Sequence, residues 1–213
     1  MAEEIFVSPK KHGRLMVMIS GRGSNFMAIH DAILEGRINA EIVLVFSDKE
    51  DAQGLKVARE RGLETLFYNP KLYAAREDYD KDIIQEAKKR EVDLICLAGY
   101  MRVLPPLFCR EFKNRIMNIH PALLPAFPGL HVQQKAIDWG VRFSGVTVHF
   151  VAEEVDMGPI ILQAVVPVHP NDTEETLSVR ILKEEHKIYP ESVRLFFEGR
   201  LEVRGRRVFI QPE

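Results

Sequence analysis

Residues 15–19, Leu-Met-Val-Met-Ile, form an unbroken apolar run that ends at Gly21-Arg22-Gly23-Ser24-Asn25. Apolar residues at helical spacing follow: Phe26, Ile29, Ala32 and Ile33. A run with no polar alternation suits a strand buried on both faces, which requires helices above and below a sheet. Strand, glycine loop and helix in succession open a βαβ unit, whose next strand lies parallel to the first. The pattern recurs. Residues 42–46 read as a strand, 52–61 as a helix, and 63–68 as a third, weaker strand. A helix over 78–90 places Tyr79, Ile83, Ile84 and Ala87 on one face, and 92–98 form another buried strand. Pro105-Pro106 opens a short helix, and a further strand runs up to His120. The predicted class is α/β, with a Rossmann-like, mostly parallel twisted sheet and helices on both faces.

The remaining chain completes a single domain over residues 1–213, with residues 1–13 as a polar lead-in. A short helix follows His131 and runs to Gly140. Residues 146–150 alternate, which places Gly145, Thr147 and His149 on one strand face and Val146, Val148 and Phe150 on the other. A loop over 152–159 leads to a last core strand at 160–168. Asp172-x-x-Glu175 reads as a capping box for a long helix interrupted near Pro190. Gly199 and Gly205 bound a small C-terminal hairpin, 201–203 with 207–210.

A formal net charge of −2 supplies no field for nucleic acid or a membrane surface. The apolar runs are too short to cross a bilayer, and the first residues lack a signal peptide's pattern. The two cysteines, Cys96 and Cys109, indicate neither a disulfide framework nor a zinc motif, and no pair of histidines has metal-ligand spacing. The expectation is a cytoplasmic protein acting on small molecules, as a monomer or homodimer, with no metal.

In such sheets ligands gather at the carboxyl ends of the strands, so the loops there hold the candidate chemistry. Gly21-x-Gly23-Ser24-Asn25 can turn N–H groups at a helix N-terminus toward a phosphate, or can be a tight turn with a capped helix. Asp48 would suit a dinucleotide's ribose, but Phe26 stands where the third glycine of that fingerprint belongs. Asn118 and His120, two apart at a strand end, point to one face before a loop stiffened by Pro121, Pro125 and Pro128. An amide beside an imidazole can stabilise an oxyanion; a buried structural histidine before a turn is the plainer alternative. Asp156 beside His120 would favour its protonated form. Glu185 interrupts the apolar stripe of Leu177, Ile181 and Ile188, where a carboxylate needs a ligand or a partner.

Six stretches carry a resemblance when taken together: residues 19–25, Leu97-Ala-Gly-Tyr-Met-Arg102, Asn118-Ile-His-Pro with its loop to His131, Ser144-Gly-Val-Thr-Val-His-Phe150, Asp156-x-Gly-Pro-Ile160 and Glu185-His-x-x-Tyr-Pro190. In this order they resemble the phosphoribosylglycinamide formyltransferase family of purine biosynthesis. The resemblance implies transfer of the formyl group of 10-formyltetrahydrofolate, a co-substrate, to the glycinamide amine of 5-phosphoribosylglycinamide. It implies Asn118, His120 and Asp156 as the catalytic set and Gly23, Ser24 and Asn25 at the substrate phosphate. Leu182 and Glu185 fall at its ribose, and Arg76, Met101, Arg102, Val103, Leu104, Asn118, Ala152 and Asp156 at the folate. Thr147 and His149 are expected to support catalysis by ordering a water. Arg22, Ala122 and Val132-Gln133 depart from the family's pattern, outside the catalytic three. The alternatives are a formyltetrahydrofolate hydrolase, a transferase with another amine acceptor, or a non-catalytic binding module.

Overall fold

A computed structural model describes residues 5–6 and 12–212. In chain order its elements are β1 (Ile5–Phe6), β2 (Gly13–Ile19), α1 (Ser24–Leu34), β3 (Ala40–Ser47), α2 (Gln53–Glu60), β4 (Thr65–Phe67) and α3 (Arg76–Lys89). Next come β5 (Leu94–Leu97), α4 (Pro106–Glu111), β6 (Ile116–His120), α5 (Val132–Asp138), β7 (Phe143–Phe150) and β8 (Ile160–Pro167). The last elements are α6 (Glu174–Phe197), β9 (Leu201–Arg204) and β10 (Arg207–Ile210). The strands form one sheet in the order β1-β9-β10-β8-β7-β6-β5-β2-β3-β4.

From β4 to β6 every pairing is parallel, as the βαβ alternation requires. The chain winds outward from β2 to β3 and β4, then returns to place β5 on the other side of β2. That reversal opens a crevice beyond the strands' carboxyl ends, between the loop after β2 and the loop after β5. β7 and β8 then turn antiparallel. The pleat of β2 divides the core in two: Leu15, Val17 and Ile19 pack with α1 and α6 residues, while Met16 and Met18 pack with Tyr79 and Ile83 of α3.

Three local expectations are corrected. Of the polar lead-in, residues 1–4 and 7–11 lie outside the described residues, but Ile5–Phe6 pair with Glu202 and Val203 of β9 and Gly13 already belongs to β2. The capping box of α6 starts one residue later than expected. Thr173 and Thr176 exchange side-chain and backbone hydrogen bonds, while Asp172 accepts from Arg180 and from the Thr176 hydroxyl. Finally, α6 continues through Pro190 without a break. A proline inside a helix costs about 3 kcal/mol, and the fully buried residues around it, Tyr189, Val193 and Phe196, anchor the turn on the sheet and offset that cost.

Tyr189 also ties α6 to the site. Its hydroxyl lies 3.0 Å from the carbonyls of both Leu97 and Met117, so one O–H is shared between β5 and β6 immediately before Asn118. Tyr189→Phe leaves those carbonyls without that donor. We expect a stability loss of about 1–2 kcal/mol, seen as a fall in melting temperature of about 3–6 °C. An unchanged melting temperature would show that the shared bond contributes nothing.

Candidate active site

The centre of the site follows from strand register. β6 and β7 run antiparallel with Asn118 opposite His149 and His120 opposite Thr147, and on β8 Gln163 stands opposite Thr147. Residues directly opposite share a face, so these five side chains gather on one side of the sheet. Asp156 joins them from the loop after β7. Its backbone is left-handed, with φ +57°, a conformation that aspartate tolerates better than most residues. Gly158 lets this loop fold back: a Cβ there would lie 1.7 Å from the Phe150 carbonyl oxygen.

Asp156 Oδ2 stands 3.5 Å from His120 Nδ1 and accepts the Gly129 N–H at 2.9 Å. His120 is buried, and its Nε2 donates to the Phe127 carbonyl at 2.9 Å. Both ring nitrogens therefore face acceptors. His149 is different. Burial pushes its pKa down, and its Nδ1–H donates to the Phe150 carbonyl. That leaves Nε2 with a lone pair, which accepts from the Asn118 side-chain amide at 3.3 Å. The neutral imidazole thus orients the amide, with one amide hydrogen bound and the other free to serve a ligand.

Thr147, expected to help order a water, has its hydroxyl engaged by protein groups. Its hydroxyl donates to the Ala122 carbonyl and accepts from Leu124 N–H and from the Gln163 amide. With no accessible surface and every position filled, it fastens the loop after His120 to β7. Gln163, which the sequence reading missed, completes this by donating to the Leu124 carbonyl as well. A partly exposed glutamine on an apolar strand carries no signal; only the register identifies it.

A cavity of about 380 Å³ opens against this cluster. Leu97, Val103, Leu104, Ile119 and Val151 give it an apolar wall, and Asn118, His120, His149 and Asp156 form its polar end. Met101, Arg102 and Ala152 also line it. Arg76, expected beside them, stands outside that lining and donates to the Val103 carbonyl.

A second cavity, of about 470 Å³, lies over the glycine loop. Gly23, Ser24, Asn25, Leu182 and Glu185 line it, with Arg22, Glu175 and Ser178. α1 begins with Gly23 at φ +76°, no side-chain cap and no acid in its first turn, so the helix N-terminus offers free N–H groups. The Asn25 side chain points elsewhere: its amide donates to Glu185 at 2.6 Å, and its Oδ1 is buried with no partner among the described residues. Burial pushes the Glu185 carboxyl pKa up, against the Asn25 bond that lowers it. A buried lone acceptor beside a carboxylate suits a ligand's hydroxyl donors. Gly99, Met101 and Gln133 line both cavities, so the two adjoin.

Among the described residues no group of three or more His, Cys, Asp or Glu side chains gathers as a metal site. Likewise, no helix there is long and apolar enough to cross a membrane.

The profile of the formyl transferase family matches residues 13–193. Phosphoribosylglycinamide formyltransferase of Escherichia coli (strain K12) is 43% identical over 199 residues, 93% of this chain and 94% of that protein. The trifunctional purine biosynthetic protein adenosine-3 of Drosophila melanogaster is 46% identical over 192 residues; the chain spans 14% of that relative's length. The crystal structure of glycinamide ribonucleotide transformylase 1 from Symbiobacterium toebii superimposes with a TM-score of 0.93 at 51% identity, covering 95% of each chain. With the glycine loop, the crevice and the Asn118–His120–Asp156 cluster inside the matched span, the chain belongs to the formyl transferase family.

Proposed function

We propose that the chain transfers the formyl group of 10-formyltetrahydrofolate to the glycinamide amine of 5-phosphoribosylglycinamide. One observation carries this reading: an apolar cavity and a phosphate-suited cavity adjoin at Gly99, Met101 and Gln133, with Asn118, His120 and Asp156 at the polar end of the first. The apolar wall suits the flat rings of a folate. The N-terminus of α1 suits a phosphate, and Glu185 with the lone Asn25 Oδ1 suits ribose hydroxyls. The full-length bacterial relative named for this reaction supports the same substrates. Such a role fits a cytoplasmic enzyme acting as a monomer or homodimer.

Attack of the neutral amine on the formyl carbon forms a C–N bond and leaves an oxyanion and an ammonium. The free hydrogen of the Asn118 amide is oriented for the oxyanion by His149. His120 reaches the same oxygen by exchanging one acceptor, the Phe127 carbonyl, for another. Asp156 Oδ2 faces His120 Nδ1 from 3.5 Å. The proton leaves the ammonium through His120 or a water beside it and arrives on the folate nitrogen as its bond to carbon breaks. Neither step changes oxidation state.

Removing one oxyanion donor costs about 10²–10³ in kcat. His120→Ala should fall by that factor, with the KM for the phosphorylated acceptor changed less than about threefold. The assay is tetrahydrofolate release with and without acceptor. Turnover at the wild-type rate would contradict the role of His120, and release that needs no acceptor would point to hydrolysis instead.

Glu185→Gln separates binding from stability. A carboxyl whose pKa is raised on folding loses stability as pH climbs from its unfolded value, about 4.3, to its folded value. The variant should therefore melt above wild type at pH 8 and level with it near pH 4. The amide introduced by this substitution can also donate to the lone Asn25 Oδ1. The acceptor's KM should nonetheless rise about tenfold, since a ribose hydroxyl loses a charged acceptor. Equal melting at pH 8 with an unchanged KM would contradict both assignments.

A further inference from the structure

Asp80 is a buried carboxylate with no part in the chemistry above. It lies on α3 with 3% of its surface exposed, and its Oδ2 has no hydrogen-bond partner among the described residues. Burial pushes its pKa up, while the guanidinium groups of Arg76 and Arg102 pull it back. Arg76 Nε stands 3.6 Å from Oδ2, one helical turn away, which is an ion pair and not a hydrogen bond. From the same guanidinium, Nη2 donates to the Val103 carbonyl. Arg102 lies with Cζ 4.9 Å above the ring centre of Tyr79, the residue before Asp80. Met101, Arg102, Val103 and Leu104 line the apolar cavity, and Arg76 backs them from outside.

A carboxylate with an empty oxygen in the core is a costly feature that an apolar residue would avoid. Its position explains its presence. The Arg76 side chain is half exposed, and an arginine left free there would sample many rotamers. Asp80 holds its Nε edge from beneath while Val103 takes Nη2, so two fixed points define the guanidinium plane. Arg102 is placed separately, over the Tyr79 ring face.

We propose that Asp80 is a positioning residue for the 101–104 loop: through Arg76 it holds the Val103 carbonyl, and with it the wall of the apolar cavity. The consequence for catalysis rests on the proposed transfer reaction, in which this cavity takes the formyl donor. Asp80 touches no substrate; it fixes the loop that lines the cavity.

The test uses Asp80→Asn, Arg76→Gln and the double variant in the full chain, with two readouts. The first is amide hydrogen exchange without ligand. In Asp80→Asn a peptide spanning residues 100–105 should exchange faster, while β2, β5 and α6 keep wild-type protection. The second is titration with tetrahydrofolate. Asp80→Asn should weaken binding about fivefold, whereas the KM for the phosphorylated acceptor stays within about twofold. In the Arg76→Gln background the added Asp80→Asn change should cost less than about twofold, because residues acting through one another are not additive. A full fivefold loss in that background, or unaltered exchange around Val103, would overturn the proposal. Wild-type protein that does not bind tetrahydrofolate would instead contradict the transfer reading, and exchange around Val103 would still decide the role of Asp80.

Discussion

The antiparallel pairing of β6 with β7 is the constraint on which the site depends. It sets Asn118 against His149 and His120 against Thr147. A slip of one residue would send all four side chains into the opposite core. Two side chains keep the register productive. Tyr189 ties the Leu97 and Met117 carbonyls together just before the pair begins, and Thr147 fastens the loop just after it ends. The proposed catalytic pair thus sits between a fixed strand and a fixed loop exit, which is the rigidity that electrostatic catalysis requires.

Two histidines on the same sheet face share the carboxylate of Asp156, whose oxygens stand 3.5 Å from His120 Nδ1 and 3.8 Å from His149 Nε2. Burial pushes the His149 pKa down, and its ring donates to the Phe150 carbonyl and accepts from Asn118. His120 donates through Nε2 to the Phe127 carbonyl. Glu185 is the buried carboxylate of the second cavity. Its burial costs stability, and that cost is retained where Glu185 and Asn25 line the proposed sugar site.

Much of the fold was legible because buried parallel strands leave unbroken apolar runs: 15–19 and 42–46 lie within β2 and β3, and 92–98 contains the shorter β5. The site positions were legible for a similar reason: glycine loops and a carboxylate on an apolar stripe break an expected pattern. What escaped was tertiary. Gln163 and the loop-fastening role of Thr147 depend on which strands neighbour which, information that no local spacing carries. The continuity of α6 through Pro190 reflects packing that outweighs local propensity, and the shift from Asp172 to Thr173 is a one-residue matter of cap geometry. Arg76, which the resemblance places at the folate, donates to the Val103 carbonyl and pairs with Asp80.

The two adjoining cavities are proposed to hold the two substrates head to head at Asn118 and His120. A crystal structure with a non-reactive analogue of the formyl donor and 5-phosphoribosylglycinamide tests it most directly. The amine should lie about 3–3.5 Å from the carbon that replaces the formyl group. The analogue's oxygen should lie within hydrogen-bond reach of the Asn118 amide, with His120 Nε2 turned from the Phe127 carbonyl to that oxygen. A complex in which the phosphate lies away from Gly23–Asn25, or in which His120 keeps its bond to Phe127 with the analogue's oxygen out of reach, would contradict it.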